Sequence, residues 1–230
     1  KTEKYAHLIR LAKEAQVNML RVWGGGLIEK EIFYRLCDEN GIMVWQEFTQ
    51  SSSGLDNLPS CEPEYMDMIE KYAAEVIRKR RNHASLTIWC GGNELLDAGN
   101  IPLDENYPVL KKLDELVKEE GNGQIFLATS PYGKVFGINM KLLKRKKKEY
   151  DGLTTDFGQP HLDGGADPNG EEIELYDVHG PWMYLGLTEQ YFLYNENSCA
   201  LHSEFGVEGT VLYEDLKKFM SEEKMWPPTR

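Results

Sequence analysis

Two glutamates stand where a buried strand would run out into glycine. In Leu86-Thr87-Ile88-Trp89-Cys90-Gly91-Gly92-Asn93-Glu94, a short β-branched and aromatic run breaks at two glycines, then presents an amide and a carboxyl. In Leu201-His202-Ser203-Glu204-Phe205-Gly206 the same arrangement recurs. Glu47, in Trp45-Gln46-Glu47-Phe48, is a third candidate on the strand before the central one. For Glu94 alone, capping of a following helix is an even alternative. Two strand-end carboxyls sharing one cavity are harder to dismiss as packing. They are what cleavage of a glycosidic bond requires: one acid to protonate the departing oxygen, one carboxylate to attack or to activate water.

Tryptophans cluster at the same strand ends. Trp89 reads as core, because apolar residues flank it. Trp23, before three glycines, and Trp182, in His179-Gly180-Pro181-Trp182, are better placed to stack on a sugar ring. Arg21 is expected inside the sheet's concave face, holding carboxylates by paired hydrogen bonds. His179 and His202 lie at strand ends, where a contact to the site and a purely structural histidine are equally compatible with the sequence.

Other chemistries fit less well. The glycines at 24–26 follow a strand, but the sixth position of a dinucleotide loop would be Glu29, so that pattern fails. The five histidines form no HExxH pair and the four cysteines no CxxC, so no metal or cofactor site is expected. No GxSxG elbow is present.

The elements that must position these residues alternate. Helix patterns with apolar faces are expected from Thr2 (Leu8, Leu11, Ala12, Ala15), around residue 32 (Ile32, Phe33, Leu36, Cys37), from Pro63 (Tyr65, Met68, Ile69, Tyr72, Ala73, Val76, Ile77) and from Pro108 (Leu110, Leu113, Leu116, Val117). Strands are expected at Val17 to Trp23, Ile42 to Phe48, Leu86 to Cys90, Ile125 to Thr129, Leu175 to His179 and Ala200 to Phe205. Two further helices are expected at Thr188 to Tyr194 and Leu212 to Met220. This alternation predicts an α/β fold with a parallel sheet and outer helices. Six strands fall short of the eight of a closed (β/α)8 TIM barrel, so a partial barrel with its first and last strands missing is expected. An open doubly wound sheet is the competing architecture. The segment 133–170, with a basic run at 141–148 and a Gly-, Asp- and Pro-rich stretch around 163–170, reads as a solvated surface excursion.

Charge and composition narrow the partners. A net charge of −12 argues against nucleic acid, whose phosphates would be repelled, and is compatible with a neutral sugar. No apolar run approaches the roughly 20 residues of a membrane span, and residues 1–10 are too charged for a signal peptide. Cys37 and Cys90 sit in apolar patterns, as buried free thiols do, which leans towards a cytoplasmic setting. Secretion or a periplasmic home stays open, because a start lying further upstream would hide an export signal.

Three segments together resemble glycoside hydrolase family 2: Asn18-Met19-Leu20-Arg21-Val22-Trp23-Gly24-Gly25-Gly26, the run from Cys37 through Asn40-Gly41 to Trp45-Gln46-Glu47-Phe48, and Arg81-Asn82-His83-Ala84-Ser85-Leu86 leading into Gly92-Asn93-Glu94. The tryptophan-triglycine turn is similar to the β-mannosidase and exo-β-glucosaminidase branch, where other branches carry His-Tyr-Pro. The resemblance implies a retaining enzyme without cofactor, with Glu94 as acid/base, Asn93 on the sugar 2-hydroxyl and Glu204 as nucleophile. Trp23, His179, Trp182, Glu47 and Arg21 are expected around the sugar, which the branch implies is a terminal β-mannoside. A glucosaminide or β-galactoside is the alternative within the family. Flanking β-sandwich domains of a parent chain are also implied. The rival from another class is a barrel piece that binds sugar without turning it over, and its unpaired edges would favour a homo-oligomer.

Overall fold

The computed structural model of the chain describes residues 2–51, 57–133, 136–137, 177–184, 186, 190–191, 194, 199–206, 209 and 211–225. Helix α1 (Thr2–Glu14) leads into β1 (Met19–Val22), then α2 (Glu31–Asn40) and β2 (Met43–Glu47). Next come α3 (Pro63–Arg80), β3 (Leu86–Cys90), α4 (Pro108–Glu120) and β4 (Ile125–Leu127). After these stand β5 (Asp177–His179), β6 (Leu201–Glu204) and two short helices, α5 (Tyr213–Leu216) and α6 (Glu222–Met225). Strands β1 to β4 pair in sequence order, and β5 pairs with β6. Every ladder is parallel. The segment after β4 bridges the two ladders, since the Asp177 and His179 amides donate to the carbonyls of Tyr132 and Phe136.

This is the wall of a β/α barrel, and its two faces follow from the period-2 alternation of strand side chains, interrupted once where the β2–β3 register shifts after Val44–Leu86 and so puts Leu86 and Trp89 on one face. One face of the strands supplies Val22, Val44, Leu86 and Trp89 to a core completed by Phe33, Ile69, Ala73, Ile77, Leu110, Leu113 and Val117 from the helices. Trp89 stacks on Phe48 at 5.1 Å within that core, as its apolar neighbours foretold. The other face carries a smaller cluster of Trp45, Ile88 and Cys90, with Met19, Leu127 and Leu201 against it. Arg21 and Glu47 have the same parity as Met19 and Trp45, so the strand geometry turns both inward.

Helix ends agree with the sequence. Pro63 and Pro108 open α3 and α4, where a missing amide proton costs nothing. Gly41 stops α2 at φ 67°, a left-handed conformation that side chains disfavour. Two helix faces correct the expectation. On α1 the buried residue is Ile9, with Tyr5 and Ala12 beside it, whereas Leu8 and Leu11 are exposed. The helix offers two parallel apolar rows, and the row that meets Phe33 of α2 is Tyr5-Ile9-Ala12. On α3, Met68 is exposed because it lies about 140° round the helix from buried Ala73, at roughly 100° per residue.

The C-terminal helix is also shorter than expected: α5 spans only Tyr213–Leu216, and its flanking residues Leu212 and Phe219 are exposed, so little burial supports a longer one. In the stretch expected to be helical from 188, residues 190, 191 and 194 are helical and the rest lie outside the described residues. The surface excursion and its basic run also lie outside them, apart from residues 133, 136 and 137. All four cysteines are free, and burial pushes the Cys37 thiol up to about 12, in keeping with a small hydrophobe.

Asp38 at the end of α2 ties that helix to β3. One oxygen meets His83 Nδ1 at 2.6 Å and the other accepts the Ser85 amide at 2.8 Å. Burial pushes this carboxyl up, but the bonds from His83 and Ser85 outweigh it and hold the group below the usual carboxylate range. Its stabilisation is therefore present above the unfolded value of about 3.9 and is lost as pH falls through the lower folded value. Asp38→Asn should lower the unfolding free energy by about 1–3 kcal/mol at neutral pH. In denaturant titrations the gap to the native protein should narrow as the pH drops below about 4.

Candidate active site

The six strands deliver their polar side chains to one end. Residues Arg21, Trp23, Asn93, Glu94, Ser203 and Glu204 line a cavity of about 480 Å³ at the carboxyl ends of β1, β3 and β6. Near the mouths of β1 and β3 the backbones approach too closely for side chains. A Cβ on either Gly24 or Gly92 would stand 2.5 Å from the Gln50 carbonyl oxygen. The Asn93 amide donates to that same carbonyl at 2.9 Å, and the Glu94 amide donates to the Ser130 carbonyl at 2.6 Å. Glu94 itself sits at φ 51°, a conformation rare outside glycine and held by these neighbours. No helix follows until α4, so the helix-cap alternative for Glu94 falls away.

Arg21 organises the floor. Its Nε donates to Glu47 Oε1 at 2.6 Å, Nη1 to Glu204 Oε2 at 3.0 Å and Nη2 to Asn93 Oδ1 at 2.7 Å. The Glu47 carboxylate is fully buried and its second oxygen accepts the Gly24 amide at 2.6 Å. Burial pushes Glu47 above its ordinary range against these donors. Glu204 differs, because it opens to the cavity. Burial pushes its carboxyl up, but the Arg21 hydrogen bond, the Arg21 charge and the Trp182 indole together hold it below the ordinary value. Trp182 Nε1 donates to Glu204 Oε1 at 3.1 Å, so both oxygens of Glu204 are engaged.

Glu94 faces Glu204 across His179. Its Oε1 lies 3.0 Å from His179 Nδ1, which stands 3.8 Å from Glu204 Oε2. Ligand atoms of Glu94, His179 and Glu204 all fall within 4.8 Å of one another. A divalent cation could in principle use that trio. However, the Glu204 oxygens are already taken by Arg21 and Trp182, and a cation there would sit beside a guanidinium. As a proton-transfer pair, two carboxyl groups at this spacing, one of them stabilised as the anion, suit an acid and a nucleophile on opposite sides of one bond.

The structure thus brings together every site residue named from the sequence. Trp23 and Trp182 are about half exposed at the cavity, whereas Trp45 and Trp89 are buried. His202 is structural: its Nε2 meets the Gly180 carbonyl at 2.5 Å, and burial pushes the imidazole below its ordinary value. Sequence reading missed Gln50, Ser130 and Ser203. Gln50 donates to the Gly91 carbonyl at 2.9 Å and accepts from Tyr65. Ser130 and Ser203 meet at 2.8 Å and both reach Asp177. Their one available signal was position, since each lies at or just beyond the end of a strand.

Known proteins share this arrangement of chain. Residues 7–150, more than half of the sequence, match the family described as glycosyl hydrolases family 2, TIM barrel domain. The β-mannosidase of Mus musculus is 33% identical over 173 residues, covering 70% of this chain and 19% of its own. β-Mannosidase B of Emericella nidulans is 30% identical over 223 residues, 96% of this chain and 24% of its own. The crystal structure of β-D-mannosidase from Dictyoglomus thermophilum aligns with a TM-score of 0.67 at 30% identity, over 97% of this chain and 24% of that one. The chain spans about a fifth of the length of the first relative and about a quarter of the other two.

Replacing Arg21 removes the cation that opposes burial at Glu204. A group held low loses its charge as pH falls through its folded value, and without the guanidinium that value rises. Arg21→Met should therefore move the protonation midpoint of Glu204 to higher pH, read by carboxyl-carbon NMR titration of the full-length protein. A midpoint that stays or falls would contradict the assignment.

Proposed function

Because the chain belongs to glycoside hydrolase family 2 through its TIM-barrel domain, we propose that it carries the active site of a retaining glycosidase that removes a terminal β-mannose. The observation that supports this best is the approach of the Glu94 and Glu204 carboxyl oxygens to within 4.8 Å, with Arg21 bound to only one of them. Retaining pairs stand about 5–5.5 Å apart, whereas inverting pairs need room for a water between them. The asymmetry supports a division of roles. Glu204, held in its ionised form, attacks the anomeric carbon, and the glycosidic bond breaks as Glu94 passes its proton to the departing oxygen. An ester between Glu204 and the sugar results. Glu94, now a carboxylate, takes a proton from water, whose oxygen attacks the anomeric carbon and releases Glu204. Every atom in both steps belongs to the protein, the sugar or water.

The choice of sugar rests on the mannosidase names of the similar proteins together with the groups around the cavity. Asn93, fixed by Arg21 through its Oδ1, keeps its amide nitrogen within 3.3 Å of Ser51 Oγ and is placed to meet the 2-hydroxyl beside the reacting carbon. Trp23 and Trp182 offer ring faces at the rim, where a pyranose can stack.

Two variants of the full-length protein test the roles with aryl β-mannosides. Glu204→Ala should lose turnover by roughly four orders of magnitude or more, and azide should restore part of it while yielding a glycosyl azide of inverted configuration. Retained activity without azide would remove Glu204 from the role. Glu94→Ala should still be glycosylated quickly by dinitrophenyl β-mannoside, whose leaving group needs no proton, and should slow by roughly 10²–10⁴-fold with a poor leaving group. Equal slowing of both substrates would reject Glu94 as the acid.

A further inference from the structure

Behind Glu94 lies a chain of buried hydrogen bonds that the two-carboxylate mechanism does not use. His179 is completely buried, with Glu94 Oε1 3.0 Å from its Nδ1 and Ser130 Oγ 2.9 Å from its Nε2. Ser130 Oγ also lies 2.9 Å from Asp177 Oδ2, which accepts the Ser203 hydroxyl at 2.7 Å. The other oxygen of Asp177 accepts the Ser203 amide at 3.0 Å. Asp177 and Ser130 are both fully buried.

Counting protons fixes the direction of this chain. A carboxylate only accepts, and Ser130 Oγ, Ser203 Oγ and Asp177 Oδ2 lie 2.7–2.9 Å from one another with two hydroxyl protons among them. Ser203 gives its proton to Asp177, and Ser130 spends its one proton on Asp177 or on the Ser203 oxygen; either way it faces His179 with a lone pair. The imidazole must then carry its proton on Nε2. In the neutral ring Nδ1 is bare, and its 3.0 Å contact with Glu94 becomes a hydrogen bond only when Glu94 holds a proton.

We infer that Asp177 and Ser130 are positioning residues that lock the Nε2–H tautomer of His179 and so keep the proton on Glu94 until the departing oxygen takes it. This rests on the glycosidase reading only for its consequence; the tautomer is a property of the resting site. When Glu94 has given its proton away, its carboxylate faces a bare nitrogen, which favours recapture of a proton from water in the second step. Asp177→Asn would reverse the chain. The new amide donates to Ser130, whose hydroxyl then donates to Nε2. The ring proton moves to Nδ1, and Nδ1–H favours the Glu94 carboxylate instead of the acid.

Among the described residues, the charged groups around this contact are Glu204 and its partner Arg21 from β6 and β1, Asp177 from β5 through Ser130, and Glu47 and His202 on β2 and β6. Asp177→Asn changes both the tautomer and one of these charges. Ser130→Ala breaks the chain and leaves every charge in place, which separates the two effects.

Long-range proton–nitrogen NMR of the full-length protein, labelled with 15N histidine, reads the tautomer of His179 without substrate. The Nε2–H form is expected, and the Nδ1–H form would overturn the inference. With aryl β-mannosides, both variants should lose roughly 10–100-fold in kcat/KM for a poor leaving group and stay within a few-fold for dinitrophenyl. The basic limb of their pH profile should move to lower pH, because in both variants the protonated Glu94 loses its fixed Nδ1 acceptor. Uniform loss across leaving groups would mean mere structural damage and overturn the proposal. A shift in Asp177→Asn that Ser130→Ala lacks would assign the effect to charge and overturn it too. If the native protein shows the Nε2–H form yet cleaves no glycoside, the proton assignment is supported and the glycosidase reading is the one that fails.

Discussion

A buried guanidinium dictates the geometry of this site. Arg21 has only 14% of its side chain exposed, and a cation so far from water is tolerable only with partners on every edge. Its three nitrogens find Glu47 on β2, Asn93 beyond β3 and Glu204 on β6. The planar fork sets the angles between these groups more tightly than any single contact would. Glu47 is thereby committed to structure, its other oxygen bound to the Gly24 amide, whereas Glu204 shares only one oxygen with Arg21 and keeps a face to the cavity. One cation thus holds one carboxylate in the floor and leaves another open to the cavity. The difference between them is burial, complete for Glu47 and partial for Glu204.

The approach of backbones beyond the strand ends is the second constraint. Gly24 and Gly92 press against the Gln50 carbonyl, and the Asn93 amide bonds to that same oxygen. With the Glu94 amide tied to Ser130, the chain is forced through a left-handed turn at Glu94. That turn gives up some local stability and sends the carboxyl towards His179 instead of along the strand. Glycine at the mouth of β3 therefore serves contact as much as turning.

Much of this was legible in the sequence, for identifiable reasons. Glu94 and Glu204 showed because each ends an apolar run with a polar group next to glycine, a conflict that packing alone does not produce. Arg21 showed because an arginine inside a strand pattern needs buried acceptors. The face of α1 was not legible, since Leu8-Leu11 and Tyr5-Ile9-Ala12 make equally good rows, and only the position of α2 chooses between them. Met68 misled because it falls one position before Ile69 at the margin of the stripe. Ser130 and Ser203 offered only their place at a strand end: a serine hydroxyl takes its meaning from what lies within 3 Å, and their partner Asp177 is 47 residues from one and 26 from the other.

The pairing of strands in two ladders has a bearing on how this site comes and goes. Glu94 stands at the exit of the β1–β4 ladder, which owns most of the large apolar core, while Glu204 stands on β6, paired only with β5 among the described strands. Among the described residues, what joins the halves, besides the bonds from the segment after β4, is the packing of Leu201 against Trp45, Ile88 and Cys90 and a polar lattice of Arg21, His179, Asp177 and the serines. Such a lattice is sensitive to water in a way that packed hydrocarbon is not. Proteins open first where burial is least, so the seam between the ladders is where Glu94 and Glu204 would part while the larger apolar core stayed packed.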